Sequence, residues 1–239
     1  MSTPVISVIA SAIFTQYWEE LYEQLSHKNK IPFEIVFVGN VRPIFPLPEN
    51  FIHIYSETKP VQCYEIAARN AKGKFLMTCQ DDLVFPEKFL NVMYMYLVRM
   101  PNPAKIVLTP RFSDRLDGPP QDQLLSIYPN DLESPIAGVG TIYNRQLWYD
   151  LGGLDRRFNL LFYDLDMMMR IYEAGGHPFI VPSCIVRERL RGDRPRLIDD
   201  YHPDRKLLYA LWLLPSDKLS KTRLLPLEPF GKNEISIVR

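Results

Sequence analysis

Apolar residues recur along this chain in two ways, as short unbroken runs and as stripes at helical spacing, and in the first half the two alternate. Val5 to Ala10 (VISVIA) is a β-branched apolar run that reads as a buried strand. Beyond Thr15, a candidate N-cap, Trp18, Leu21, Tyr22 and Leu25 return every three to four residues, with Glu19, Glu20 and Glu23 between them, which predicts an amphipathic helix. Phe33 to Val38 (FEIVFV) is a second strand, stopped by the turn signal Gly39-Asn40, and Phe51 to Tyr55 a third. A helix is expected over Val61 to Ala71, with Pro60 near its start and Gly73 past its end. Phe75 to Thr78 (FLMT) is a fourth strand and runs straight into Cys79-Gln80-Asp81-Asp82. Pro86 opens a further helix, with Phe89, Leu90, Met93, Tyr96 and Leu97 on one face, and Lys105 to Thr109 is a fifth strand.

Strands alternating with helices predict an α/β fold built on a mostly parallel central sheet. In such sheets ligands bind beyond the carboxyl ends of the strands, where Asn40 and the pair Asp81 and Asp82 fall. The second half is patterned differently. Arg111 to Pro135 is rich in Pro, Asp, Gln and Ser and reads as a long surface excursion. Ile136 to Tyr143 is a glycine-interrupted strand, Arg145 to Leu151 a short helix closed by Gly152-Gly153, and another helix begins near Asp164. Residues 1–190 therefore form one domain, with 1–110 as a nucleotide-binding half and 111–190 as an acceptor-binding half, followed by a helical or irregular extension over 191–239.

Composition narrows the function little. The chain of 239 residues has 28 basic and 28 acidic side chains, so no global field draws it to nucleic acid. Cys63, Cys79 and Cys184 are too scattered for a zinc site or a disulfide framework and fit a reducing cytoplasmic setting. Val5 to Phe14 lacks a basic leader and is too short to span a bilayer. The run Leu207 to Leu214, with Trp212 inside it and Arg205 and Lys206 before it, is either a core-packed helix or a peripheral membrane contact.

Three places carry candidate chemistry. Asp81 and Asp82 either form a solvated turn or cap before the helix at Pro86, or they hold a divalent cation that relieves their repulsion. In Tyr163-Asp164-Leu165-Asp166-Met167-Met168-Met169-Arg170, Leu165, Met168, Met169 and Tyr172 form a core stripe, and Asp166 and Arg170 can pair on the opposite face. Asp164 either caps this helix or presents a general base to a cleft. Arg69 and Asn70, ending the helix before the Asp81 strand, are either surface residues or contacts for a diphosphate or a base.

Taken in order, these pieces resemble the inverting glycosyltransferases of family 2, which have the GT-A fold. The resemblance covers about residues 4 to 190. It rests on the opening strand and helix from Ser7 to Leu25, the second strand ending at Asn40, Ala67 to Phe75 (AARNAKGKF), Cys79-Gln80-Asp81-Asp82 with Pro86 after it, Gly152 to Phe158 (GGLDRRF), Tyr163 to Gly175, and Val181-Pro182. It implies that a hexosyl or deoxyhexosyl group passes from a UDP-, GDP- or dTDP-sugar to a hydroxyl of a glycan or lipid-linked acceptor, with Mn2+ or Mg2+ as cofactor. Asp82 and Asp81 would hold the metal, with Glu188 as a further oxygen ligand where the family often has a histidine; His202 is a second candidate there. Asp164 would be the general base, Arg69 with Asn70 would steady the diphosphate, Asn40 would meet the nucleobase, and Ala10, Ser11 and Ala12 would line its pocket.

The chain departs from the family at Gly39-Asn40, which replaces an Asp pair, at Gln80 or Cys79 in place of the first metal-motif Asp, and at Tyr163 in place of a Glu. Two other readings stay open. One is a catalytically inactive GT-A-like binding module; the other is a nucleotidyltransferase, which should show a basic Gly-rich loop where Ser11-Ala12-Ile13-Phe14-Thr15 stands.

Overall fold

The computed structural model describes residues 3–126, 133–135, 138–189, 203–212 and 222–236. In chain order the elements are β1 (Ile6–Ser11), a 3-10 turn (Thr15–Tyr17), α1 (Trp18–Ser26), β2 (Phe33–Gly39), β3 (Phe51–Tyr55), α2 (Pro60–Asn70), β4 (Phe75–Thr78), β5 (Leu83–Val84), α3 (Phe89–Arg99), β6 (Ile106–Ser113), β7 (Leu124–Ser126), β8 (Glu133–Pro135), β9 (Ile142–Asn144), α4 (Arg145–Asp150), α5 (Tyr163–Glu173), β10 (His177–Glu188), α6 (Pro203–Trp212) and α7 (Lys232–Ile235).

Eight strands make one sheet in the order β3-β2-β1-β4-β9-β6-β10-β5. The pairings β3-β2, β2-β1, β1-β4 and β6-β10 are parallel, as the alternation of strands and helices requires. β9 is inserted antiparallel between β4 and β6, and β5 lies antiparallel on the end of β10. The central strands are buried on both faces; Val8, Ile9, Val36, Phe37, Leu76 and Met77 are fully inaccessible, which is why they read as unbroken apolar runs.

Several local expectations are revised. Thr15 is buried in the 3-10 turn and makes no side-chain cap. Pro86 does not open α3: the helix starts at Phe89 after Lys88, whose φ of 60° turns the chain into it. The fifth strand continues through Pro110 to Ser113, so the supposed surface excursion begins inside the sheet and then returns as the hairpin β7-β8. Of the glycine-interrupted stretch only Ile142–Asn144 is strand, and Ile136 and Ala137 lie outside the described residues. Asp166 and Arg170 do pair, at 3.0 Å, but inside the molecule rather than on an outer face.

The C-terminal residues pack onto the same core. Leu208, Leu211 and Trp212 of α6 are buried, which supports the core-packed reading of that helix; Leu213 and Leu214 lie outside the described residues. Asp155 forms a bridge with Pro229, and Arg223 reaches both Asp155 (2.6 Å) and Asp166 (3.1 Å). No helix among the described residues is long and apolar enough to cross a membrane.

Candidate active site

The carboxyl ends of β1, β2 and β4 and the N-termini of α2 and α5 meet on one edge of the sheet. Asp81 sits there, buried. Its Oδ2 accepts the backbone N–H groups of Ile13 (2.7 Å) and Phe14 (2.5 Å) and the indole N–H of Trp18 (2.9 Å). One carboxylate oxygen thus ties the loop after β1 to the loop after β4. Burial pushes the Asp81 carboxyl above its ordinary range and the nearby Asp82 charge adds to this, while the three donors pull it back.

Asp82 is also buried. Its carbonyl accepts the Arg189 N–H (3.2 Å), continuing the ladder in which Glu188 faces Leu83. Asp81, Asp82 and Glu188 therefore share one rim. Among the described residues no three His, Cys, Asp or Glu side chains are arranged to cage a metal ion. Two hard carboxylates suit a cation that takes its other oxygens from substrate phosphates and water, the usual habit of Mg2+.

Asp164 stands in the first turn of α5, half-buried, with its Oδ1 accepting the N–H of Leu165 (2.9 Å). The helix enters through Phe162, a non-glycine residue held at φ 60°, and no side chain caps it. Desolvation raises the Asp164 pKa to about 6, against the opposing pull of the backbone N–H groups. A tyrosine cluster lies within electrostatic reach of Asp164. Tyr64 and Tyr163 have ring centroids 5.1 Å apart, and Tyr143 lies fully buried nearby. Burial raises all three phenols, and the Asp164 charge raises them further. Tyr64 also senses Asp81 and donates to the Cys79 carbonyl (2.5 Å). It thus links the Asp81 loop to the Asp164 helix. A carboxylate poised near neutrality beside an acidic rim is suited to removing a proton from a bound hydroxyl.

The other predicted residues are spread unevenly. Ala10 and Ala12 are buried, and Ala12 N–H continues the β1-β2 pairing to the Val38 carbonyl (2.9 Å). Ser11 is half-exposed, and its hydroxyl joins those of Ser56 and Thr58 around the Cys63 thiol. Sequence reading missed this cluster; its only signal is Ser56-Glu57-Thr58 between β3 and α2. Asn40 is exposed at the end of β2. Gly39 has a steric reason: a Cβ there would lie 1.9 Å from the Ala12 carbonyl oxygen, so no side chain can stand at that position.

Arg69 and Asn70 are not at this edge. α2 starts beside the strands' carboxyl ends and finishes at their amino ends, where Lys72 N–H and Gly73 N–H bond Glu34 and Ser7. Eleven helical residues put Arg69 and Asn70 about 16 Å from the rim. Arg69 there pairs with buried Glu65 (2.7 Å) and stacks on the Tyr149 ring (4.5 Å), and the Asn70 side chain donates to the Ile66 carbonyl (2.8 Å). His202 and the stretch 190–202 lie outside the described residues.

No protein-family model matches the chain. The curated proteins contain no match to it either. Solved structures do match. GalNAc-T7, crystallised with UDP, GalNAc and Mn2+, superposes with a TM-score of 0.66 over 88% of this chain and 48% of its own, at 13% identity. TarS 1–349 from S. aureus matches with a TM-score of 0.56 in complex with UDP (15% identity, 77% of this chain and 60% of that one). In complex with UDP-GlcNAc it matches with a TM-score of 0.57 (17% identity, 78% and 59%). The chain spans about half to three-fifths of the length of these proteins. The shared architecture is the GT-A-like α/β fold, a single domain around a mostly parallel sheet flanked by helices.

Proposed function

We propose that this chain is a metal-dependent, inverting glycosyltransferase of the family 2 type, which moves a sugar from a nucleoside diphosphate donor to a hydroxyl acceptor. The observation that carries the reading is Asp164: a half-buried carboxylate with a pKa raised to about 6, in the first turn of a helix, linked through Tyr163 and Tyr64 to the Asp81 loop of a GT-A-like sheet. Asp164 takes the acceptor proton as the hydroxyl attacks the anomeric carbon from the face opposite the departing diphosphate. Asp82, the remaining oxygen of Asp81 and Glu188 are the residues that would hold Mn2+ or Mg2+. When bound, the cation neutralises charge developing on the leaving diphosphate. Ser11, Ser56, Thr58 and Asn40 would meet the nucleoside. That GalNAc-T7 and TarS were crystallised with UDP or a UDP-sugar supports a nucleotide-sugar donor.

The test is a thermal-shift screen with UDP-, GDP- and dTDP-sugars, with and without Mn2+, followed by product analysis on the donor that binds. Stabilisation that needs both nucleotide and metal, and a product of inverted configuration, is expected. Absence of any shift with every donor would leave the inactive-module reading in its place.

A further inference from the structure

The carboxylate of Asp204, at the start of α6, is buried with 1% exposure and faces away from solvent into the turn that precedes α5. Its oxygens accept the N–H of Asn159 (3.0 and 3.1 Å), Leu160 (2.8 Å) and Leu161 (2.9 Å), and the Asn159 side-chain amide (3.2 Å). Three consecutive backbone donors therefore converge on one acidic group. The next residue is Phe162, whose left-handed φ aims the chain into Tyr163 and Asp164. A bulky residue rarely holds that conformation unless its surroundings enforce it.

The same turn also reaches α2. The Asn159 carbonyl accepts the N–H of Val61 (3.2 Å), and Lys59 Nζ contacts Asn159 Oδ1 (3.5 Å). Both helices that bring tyrosines to Asp164 thus begin at a turn pinned by Asp204: Tyr64 lies one turn into α2, and Tyr163 is the first residue of α5.

We infer that Asp204 is a positioning residue for the proposed transfer reaction: by gathering the amides of residues 159–161 it sets the direction in which Asp164 and Tyr163 leave the turn. This rests on Asp164 acting as the base. Asp204 touches no reacting atom, so its loss should act on turnover and leave donor binding alone. Misplacing a catalytic group by about 1 Å costs on the order of 10²-fold in rate.

The experiment compares Asp204→Asn, Asp204→Ala and Asp204→Glu with the wild-type chain. Each is read by melting temperature, donor affinity, kcat and KM per folded molecule, and amide hydrogen exchange over residues 159–166. The expected result is a kcat at least tenfold lower in Asp204→Asn and lower still in Asp204→Ala, with donor affinity within twofold and partial recovery in Asp204→Glu. Exchange should rise through 159–165 while the second half of α5 is unchanged. A lower melting temperature with unchanged kcat per folded molecule would reduce Asp204 to a fastener and overturn the inference, as would a parallel loss of kcat and donor affinity. Hydrogen exchange separates this from the functional reading: if the wild-type chain transfers no sugar the glycosyltransferase proposal fails, while unaltered exchange at Tyr163 to Leu165 in Asp204→Ala overturns the positioning role whatever the activity.

Discussion

At the scale of the residue, the raised pKa of Asp164 carries a cost in stability. A carboxyl held near pKa 6 in the fold and near 4 when unfolded keeps its proton longer in the native state. The contribution of this group to native stability is therefore fullest below about pH 4, declines as pH rises through 4 to 6, and stays reduced above that. Two pKa units correspond to about 3 kcal/mol at most, less because the side chain keeps some contact with water. Asp164→Asn retains an oxygen for the Leu165 N–H and removes the charge. It should raise the melting temperature at pH 8 by the equivalent of about 1–3 kcal/mol, with no difference near pH 4. The same substitution should abolish transfer while donor binding persists, and wild-type kcat should fall on the acid side with a midpoint near pH 6. A variant that still transfers, or a rate flat down to pH 5, would remove Asp164 as the base. Asp164 and the pair Asp81 and Asp82 stood out in the sequence because a carboxylate beside an apolar run calls for an explanation. Tyr64, Glu65 and Asp204 did not, because nothing local distinguishes a tyrosine or acid that finds its partner 15 or more residues away.

At the scale of the element, the buried strands were the most legible part of the molecule. The expected bounds of the third and fourth strands, Phe51–Tyr55 and Phe75–Thr78, are those observed; Phe75–Thr78 is buried along its whole length, as a strand covered on both faces must be, whereas Phe51–Tyr55 is an edge strand with Tyr55 exposed. β9 was harder to bound, since only three residues form it, all pairing with β4 and Ile142 also with β6, and the glycines read as interrupting a strand mark the turn just before it. The direction of α2 misled in another way. Arg69 precedes the Asp81 strand closely in sequence, yet a helix antiparallel to the strands carries it to the far edge, where it pairs with buried Glu65. That carboxylate also accepts the indole N–H of Trp148 (3.0 Å) and the N–H of Leu154 (3.1 Å), holding α2 against α4 and the turn after it. Arg69→Ala should therefore leave nucleotide-sugar affinity within twofold and cost about 2–4 kcal/mol of stability, the penalty of stranding a buried charge. Donor titration and denaturant unfolding check the two halves separately; a tenfold loss of affinity in the folded variant would return Arg69 to the diphosphate.

At the scale of the whole molecule, the described residues of the expected extension, 203–212 and 222–236, pack onto the core of the domain, and the contacts are electrostatic as much as apolar. Asp155 and Asp166 are both fully buried, and Arg223 spans them; Arg157 completes the set around Asp155, while Arg170 and the indole N–H of Trp212 (2.9 Å) bind Asp166. Two of these groups, Trp212 and Arg223, come from beyond residue 190, so the C-terminal residues add a shared cation and an N–H donor to carboxylates that Arg157 and Arg170 already pair. Burial alone would raise the Asp155 carboxyl, but the Arg157 and Arg223 guanidiniums outweigh it and hold the pKa to about 2. The linkage sign is opposite to that of Asp164: a depressed carboxyl contributes stability above about pH 4, and this is lost as pH falls toward 2. Arg223→Met keeps the stem of the side chain and removes the charge. At pH 7 it should cost about 3–5 kcal/mol, because two buried carboxylates lose a shared partner. The deficit should shrink toward pH 3, where Asp155 in the variant, no longer held down by Arg223, takes up a proton before the wild type does. Denaturant unfolding of both proteins from pH 7 to pH 3 checks this. A deficit that stayed constant across the range would mean that Arg223 contributes packing alone and that the C-terminal chain is joined to the domain by its apolar contacts.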